Sequence, residues 1–196
     1  MHRIYYENIT PYLDKSYFDE CMKLVTEKRR EKVQALGDIS SRARSLAAGM
    51  SLVKATRELG IEQELEFITI GTHGKPDFRD GCGWHYNLSH SGDYVMLAVA
   101  DKSVGVDIQQ IKPLARDIAG RFYSCDEIEY LKSISSDNSS KEYLEAFYRI
   151  WCLKESYVKC SGEGLGHGLN SFSVIERLDN SEIIMDGRYA SAICIF

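Results

Sequence analysis

The chain has 196 residues, 44% hydrophobic and 27% charged, an ordinary composition for a globular protein long enough to bury a core. Its formal net charge of −5 gives no general attraction to nucleic acid or to an anionic membrane. No apolar stretch is long enough to span a bilayer and the N-terminus has no signal-peptide core, so we expect a cytoplasmic protein that binds neither nucleic acid nor membrane.

The cysteines point to the same compartment. Six are present with five histidines, but no two cysteines are spaced as Cys-x-x-Cys and the histidines complete no zinc pattern. The sequence therefore predicts free thiols in a reducing environment.

Two helices are predicted near the N-terminus. Loosely spaced apolar side chains predict the first over residues 16–36, the end of which is strongly basic. The second begins with Asp38 or Ser40 as its N-cap and ends at Gly60. Residues 65–70 are predicted to form a strand, followed by a turn-rich loop.

Further strands are predicted in the middle of the chain. Residues 84–88 form a short strand, and residues 89–92 form a polar loop. The apolar strand over residues 94–100 and the next strand, which begins at Val104, are predicted to pair as a hairpin around a tight turn.

The C-terminal part begins with helices. Residues 114–122 have a helical pattern, and Ser124 with Glu127 fits a capping box at the start of the next helix. A long helix is predicted over residues 141–160, ended by a glycine-rich segment from Gly162.

Strands complete the pattern. Residues 171–176, 182–186 and 189–196 are predicted to form an antiparallel meander. Because helices and strands are segregated along the chain, we expect an α+β fold. The order of elements suggests two related halves, residues 1–106 and 107–196.

Two segments carry the chemistry. Alternation along the strand at residues 104–109 directs Gly105, Asp107 and Gln109 to one face. On the long helix, one stripe holds Glu155 and Lys159, with Trp151, Lys154 and Val158. If strand and helix meet, Asp107 and Glu155 form an acidic pair beside Lys159, a common way of holding Mg²⁺ with water and phosphate oxygens.

Several side chains could bind anions. Cationic groups and a Ser/Gly loop together make a cradle for phosphates; the candidates are Lys28, Lys32, Arg44, Lys75, Ser89, His90 and Lys159. With Mg²⁺ they would form a site for a polyphosphate ligand. Neither a P-loop nor a dinucleotide-binding glycine pattern is present, which argues against those two enzyme classes.

Each feature has a structural alternative when taken singly. Asp107 could end a strand, and Glu155 with Lys159 could be an exposed pair worth only ~0.3–0.5 kcal/mol. A basic run such as residues 28–32 is usually a solvated helix face, and His90 could be a hydrogen-bonded loop residue. Their order and joint chemistry favour the polyphosphate site.

The chain resembles the 4′-phosphopantetheinyl transferases of the larger type that activates peptide and polyketide synthetases. The resemblance runs from about residue 28 to residue 174, in the family's order. It is carried by Gly-Lys-Pro at 74–76, Asn-Leu-Ser-His-Ser-Gly at 87–92, Gly-Val-Asp-Ile at 105–108, Trp-Cys-Leu-Lys-Glu-Ser-Tyr-Val-Lys at 151–159 and Gly-Glu-Gly-Leu at 162–165.

The resemblance implies a pseudo-twofold α+β monomer with coenzyme A and Mg²⁺ bound between two similar halves. It implies transfer of the phosphopantetheine arm to a serine of an acyl or peptidyl carrier protein, with release of 3′,5′-ADP. The carrier could serve fatty acid, polyketide or nonribosomal peptide synthesis.

Residue roles follow by position from the same resemblance. Asp107 and Glu155 would be Mg²⁺ ligands, Glu155 also the base for the carrier serine, and Lys159 would stabilise the leaving group. The 3′-phosphate would be held by Lys28, Lys32, Arg44 and His90. Lys75 and Pro76 would lie along the adenine, and Ser89 near the diphosphate.

Two departures from the family pattern stand out. Where the family often has a glutamate two residues after the aspartate, this chain has Gln109, an uncharged amide that would ligate Mg²⁺ weakly or through water. The sequence given ends at Phe196, so we expect a shortened C-terminal sheet.

Other functions remain open from the sequence alone. A non-catalytic coenzyme A-binding module would explain Gln109, and a Mg²⁺-dependent hydrolase could attack the same diphosphate with water. Carrier docking is expected on residues 113–131, where Arg116, Arg121, Phe122 and Tyr123 are available.

Overall fold

A computed structural model describes residues 1–71, 73–114, 118–162 and 168–196. The chain divides into two compact units, Met1–Ser103 and Val104–Phe196. Each contains antiparallel sheet with helices segregated from it, so the α+β class is confirmed. Residues 106 and 107, where the sequence places the division, lie within one strand, and the pseudo-twofold relation of the halves stays a prediction. No helix among the described residues is long and apolar enough to cross a membrane.

The first unit is built on a three-stranded antiparallel sheet. Its strands are β1 (His2–Asn8), β4 (His85–Ser91) and β5 (Tyr94–Ala100), with β5 in the centre. Residues 89–91, predicted as a loop, belong to β4 because they continue its pairing with β5, with Ser89 opposite Met96. The chain reverses at Gly92, which has a φ of +52°.

Three helices precede β4. They are α1 (Lys15–Leu24), α2 (Glu27–Gln34) and α3 (Ile39–Leu59). The prediction of a single helix over residues 16–36 is wrong, because the backbone is extended at Val25. A second helix begins after Thr26, whose hydroxyl caps it by accepting the Arg29 N–H. The prediction for α3 is confirmed: Asp38 is its N-cap, and Gly60 ends it with a left-handed φ of +69°.

Most of the strand predicted over residues 65–70 is absent. A 3₁₀ turn spans Glu62–Phe67, and only β2 (Thr69–Ile70) is extended, paired with β3 (Pro76–Asp77). The buried Glu64 carboxylate accepts two hydrogen bonds from the Arg79 guanidinium at 2.7 and 2.8 Å. This tertiary pair holds the segment in a turn that local strand propensity does not favour.

The second unit contains another three-stranded antiparallel sheet, in which β8 (Tyr189–Ile195) lies between β6 (Val104–Gln110) and β7 (Ser181–Ile184). The predicted hairpin between β5 and β6 is therefore wrong. Both edges of β5 are occupied by β1 and β4, and β6 pairs with the distant β8, with Asp107 opposite Ala192.

The helices of this unit are α4 (Ala119–Phe122), α5 (Cys125–Ile134) and α6 (Lys141–Ser161). In the capping box of α5, the Ser124 N–H donates to the Glu127 carboxylate at 2.9 Å. The long helix is confirmed, with Gly162 in the left-handed conformation after it.

Two predictions for the C-terminal part of the chain, a strand over residues 171–176 and a helix over residues 114–122, differ from the structure. Residues 171–176 are not a strand, because 3₁₀ turns span Leu169–Ser171 and Ile175–Asn180; β7 and β8 alone form the expected antiparallel pair. Of the helix predicted over 114–122, only α4 is observed. Residues 72, 115–117 and 163–167 lie outside the described part of the chain, and with them Arg116 and most of the glycine-rich segment.

A close approach between β6 and α6 organises the second unit. A Cβ atom on Gly105 would overlap the Ser156 carbonyl oxygen and the Cys160 backbone nitrogen, and it would lie 2.9 Å from the Cys160 Cα. Only glycine allows the strand to lie this close to the helix backbone. Asp107, two residues further along the same face of β6, is thereby brought against the side chains of α6.

We predict that Gly105→Ala lowers the free energy of unfolding by about 3 kcal/mol, because backbone atoms must move apart to admit the methyl group. Urea denaturation would measure the change. Gly37→Ala is the matched control, since a Cβ atom at that position would have no neighbour within 4 Å, and its effect should stay within ~0.5 kcal/mol. Equal effects of the two substitutions would contradict the close-approach argument.

Candidate functional site

Asp107 lies on the face of β6 that meets α6, where Lys159 and Gln109 contact it. Its carboxylate is buried, and Oδ1 lies 2.6 Å from Nζ of Lys159. The Gln109 side chain donates from Nε2 to Oδ2 at 2.9 Å. Each carboxylate oxygen therefore has a donor, which fixes its orientation. The predicted meeting of this strand with Lys159 is observed.

Glu155 lies one helical turn before Lys159 on α6. Burial raises the pKa of its carboxyl, the negative charge of Asp107 raises that pKa further, and the Lys159 ammonium lowers it. One ammonium thus stands beside two carboxylates in a partly buried place. Such an arrangement favours a further cation or a proton.

The donor set suits a hard divalent cation. No group of three or more His, Cys, Asp or Glu side chains that could hold a metal ion occurs among the described residues, so Asp107 and Glu155 would leave several coordination positions to water and phosphate oxygens. Mg²⁺ is usually bound in this way. The third predicted ligand, Gln109, turns its amide nitrogen toward Asp107, so its oxygen would reach an ion only by rotation or through water.

Lys154 does not share this site, although the sequence places it on the same stripe of α6. Its side chain is completely buried, with Nζ 2.8 Å from Oε2 of Glu127, and it donates to the carbonyl oxygens of Leu169 and Phe172 at 2.7 and 2.6 Å. The other Glu127 oxygen accepts the Val174 N–H at 2.9 Å. The pair thus ties α6 and α5 to the segment 169–174 and is structural.

The predicted carrier surface is only partly exposed. Arg121 is exposed, and its guanidinium lies 4.9 Å from the centre of the Phe122 ring. Tyr123 is buried, stacks on Phe147 and donates its hydroxyl to the Phe147 carbonyl at 2.6 Å. The prediction that Tyr123 is available for carrier docking is therefore wrong.

A basic pocket of about 470 Å³ lies in the first unit, between α2, α3, β3 and β4. Of the seven residues predicted to bind coenzyme A, it brings together Lys32, Arg44, Pro76 and His90. Its other lining residues are Arg29, Leu36, Ser41, Ser45, Ala48 and Leu88.

Three predicted residues do not line this pocket. Lys28 is exposed on α2, Ser89 is buried in β4, and Lys75 precedes β3, where its carbonyl oxygen accepts the Gly71 N–H at 2.8 Å. The fold therefore gathers only part of the predicted anion-binding set around this pocket.

The predicted set did not include Arg29 or Ser45, although the sequence shows Arg29 and Arg30 as basic neighbours in the same turn as Lys28 and Lys32. The Ser45 hydroxyl is buried at the pocket and has no hydrogen-bond partner among the described residues, an arrangement that a bound ligand would satisfy. The Arg29 guanidinium donates to the Ser45 carbonyl oxygen at 3.4 Å. Burial lowers the pKa of both Arg29 and Lys32, and the charge of Arg29 lowers that of Lys32 further. In the sequence, Arg29 lies three residues before Lys32, a spacing that places both on one face of a helix, and Ser45 directly follows Arg44. These were the signals that could have pointed to the two residues.

Comparison with known proteins gives one family. A profile of the 4′-phosphopantetheinyl transferase superfamily matches residues 103–194. The chain is 33% identical over 157 residues to a 4′-phosphopantetheinyl transferase from Bacillus subtilis, a match covering 80% of this chain and 68% of the relative. It is 32% identical over 169 residues to 4′-phosphopantetheinyl transferase Sfp from B. subtilis strain 168, covering 83% and 73%.

A further relative matches over a shorter stretch. The chain is 41% identical over 111 residues to 4′-phosphopantetheinyl transferase psf-1 from Bacillus pumilus, which covers 57% of this chain and 46% of that protein. This match therefore spans less than half of the relative.

We predict that Lys154→Met lowers the free energy of unfolding by roughly 3–5 kcal/mol, because it leaves the Glu127 carboxylate buried without its cation. Adding Glu127→Gln, which keeps an acceptor for the Val174 N–H, should recover part of that loss. A double-mutant cycle by urea denaturation measures the coupling. Strictly additive losses would show that the two charges do not stabilise each other.

Proposed function

The chain belongs to the 4′-phosphopantetheinyl transferase superfamily, and we propose that it transfers the 4′-phosphopantetheine arm of coenzyme A to a serine of an acyl or peptidyl carrier protein, with Mg²⁺ and with release of 3′,5′-ADP. The observation that carries the proposal is the placement of Asp107 against Glu155 and Lys159. Two carboxylates and one ammonium at a buried strand–helix junction provide a metal-binding pair, a base and a phosphate-binding cation.

The basic pocket supports coenzyme A as the donor. Its 3′-phosphate is a compact dianion, and Lys32, Arg44 and His90 offer cationic or neutral donors for it around the unpartnered Ser45 hydroxyl. We extend this ligand set to Lys28, and assign Lys75 and Pro76 to the adenine and Ser89 to the diphosphate, as the resemblance implies.

Asp107 and Glu155 would hold Mg²⁺, with Gln109 contributing weakly or through water. The bound ion would neutralise charge on the diphosphate, which is the main requirement of phosphoryl transfer. The structure's contribution is to fix Asp107 through Lys159 and Gln109 before any ligand arrives.

Proton transfer falls to Glu155. Its raised pKa makes it a better base than an ordinary exposed carboxylate, so it would accept the proton of the carrier serine, directly or through water. The serine oxygen then attacks the β-phosphorus of coenzyme A, and the bond to the α-phosphate oxygen breaks. Lys159, which holds Asp107, would stabilise the negative charge that develops on 3′,5′-ADP.

We further propose that the two units are the pseudo-twofold halves of a cytoplasmic monomer. Support comes from the similar secondary structure of the two units. Each has a three-stranded antiparallel sheet and a 21-residue helix that ends at a glycine in the left-handed conformation.

Intact-mass spectrometry tests the transfer. An apo carrier protein incubated with this protein, coenzyme A and Mg²⁺ should gain the mass of one phosphopantetheine arm. Glu155→Gln should slow the gain at least ~100-fold, because the amide is neither a base nor an anionic ligand. Glu142→Gln, exposed in the first turn of the same helix, is the control. Coenzyme A binding without any gain would favour the binding module instead.

The pocket assignment predicts a ligand-specific effect. Arg44→Ala should raise the KM for coenzyme A roughly tenfold, because a charge-assisted contact with the 3′-phosphate is lost. The same substitution should leave the KM for 3′-dephospho-coenzyme A unchanged. Arg57→Ala, a cation on the same helix outside the pocket, serves as the control. Equal effects on both substrates would place the 3′-phosphate elsewhere.

The amide at position 109 limits metal affinity. Gln109→Glu adds a third carboxylate beside Asp107 and should tighten Mg²⁺ binding several-fold in isothermal titration calorimetry. Gln110→Glu introduces the same charge on the opposite face of β6 and should not. Unchanged affinity in the first variant would exclude residue 109 from the ion's surroundings.

A further inference from the structure

The Asp77 carboxylate joins two segments of the first unit that are separate in sequence. Its Oδ2 lies 2.7 Å from Nδ1 of His85, the first residue of β4. Its Oδ1 accepts the N–H of Tyr86 at 3.1 Å and the N–H of Phe78 at 2.9 Å. One side chain thus fastens the end of β3 to the beginning of β4.

The core beneath this bridge has its own source of stability. The rings of Phe78 and Tyr86 are both buried, with their centres 4.8 Å apart. The side chains of Asp77 and His85 instead keep 25% and 43% of their surface exposed. Pairs this exposed contribute little to folding, so we expect burial of the two rings to contribute more to the stability of this region than the Asp77–His85 contact does.

The bridge lies next to two walls of the basic pocket. Pro76, next to Asp77, lines one side of the pocket, and Leu88 and His90, further along β4, line another. β3 is only two residues long and pairs with the equally short β2. Strands this short are weakly fixed by their own hydrogen bonds, so the hydrogen bonds from Asp77 to His85 and Tyr86 would help to set the position of Pro76 relative to His90.

We infer that His85 is a positioning residue for coenzyme A, acting through Asp77 on the wall of the pocket that Pro76 forms. The inference rests on the proposed function, since it takes coenzyme A as the ligand. His85 is not among the residues that line the pocket, so it would act on the ligand through Asp77 and Pro76 and not by direct contact.

Two substitutions separate positioning from folding. His85→Phe keeps a ring but has no nitrogen to meet Asp77, and it should raise both the Kd and the KM for coenzyme A roughly three- to tenfold with kcat unchanged. His85→Asn places an amide nitrogen near the position of Nδ1 and should bring both constants back to within about twofold of the wild type. Calorimetry without carrier gives the Kd, carrier modification gives KM and kcat, and thermal unfolding gives Tm.

The outcomes are distinguishable from those that test the transfer itself. Unchanged Kd and KM in His85→Phe would overturn the positioning role, as would equal losses in both variants that follow Tm. If the wild type binds coenzyme A and shows this pattern in Kd but modifies no carrier, the proposed transfer fails and the role of His85 stands. No coenzyme A binding by the wild type would overturn both.

Discussion

The absence of a side chain at Gly105 is the constraint on which the second unit depends. Any Cβ there would overlap the backbone of α6, so the strand and helix could not meet at their present distance. Because alternate residues of a strand share a face, that contact also directs Asp107 at α6. A backbone requirement at one position therefore determines whether the acidic pair can form at a position two residues away.

The helix then sorts two lysines into different environments. Lys154 and Lys159 are five residues apart, which rotates them by more than a quarter turn around α6. Lys154 compensates the buried Glu127 charge and holds the segment that follows the helix, whereas Lys159 faces Asp107 beside Glu155. The same residue type thus stabilises the fold at one position and supplies a cation to the candidate site at the other.

Features of the fold that depend on residues close together in sequence could be predicted, whereas those that depend on residues far apart in sequence could not. The boundaries of α3 and α6 follow from adjacent caps and glycines, and Asp107, Glu155 and Lys159 follow from strand and helix periodicity. The pairing of β6 with β8 was missed because it joins residues far apart in sequence, from Gln110 with Tyr189 to Val104 with Ile195. Ser45 was missed because a lone hydroxyl in a helix has no pattern; only its buried, unpartnered state marks it. No sequence pattern indicates the Asp77–His85 contact either, because the fold of the loop between the two residues brings them together.

We propose that β6 and α6 together form a metal site that serves the transfer. Crystals of the full chain grown with coenzyme A and Mn²⁺ in place of Mg²⁺ would test it through the anomalous scattering of manganese. We expect one manganese peak within about 2.2 Å of oxygens from both Asp107 and Glu155. A bound coenzyme A with manganese located away from these two carboxylates would contradict it.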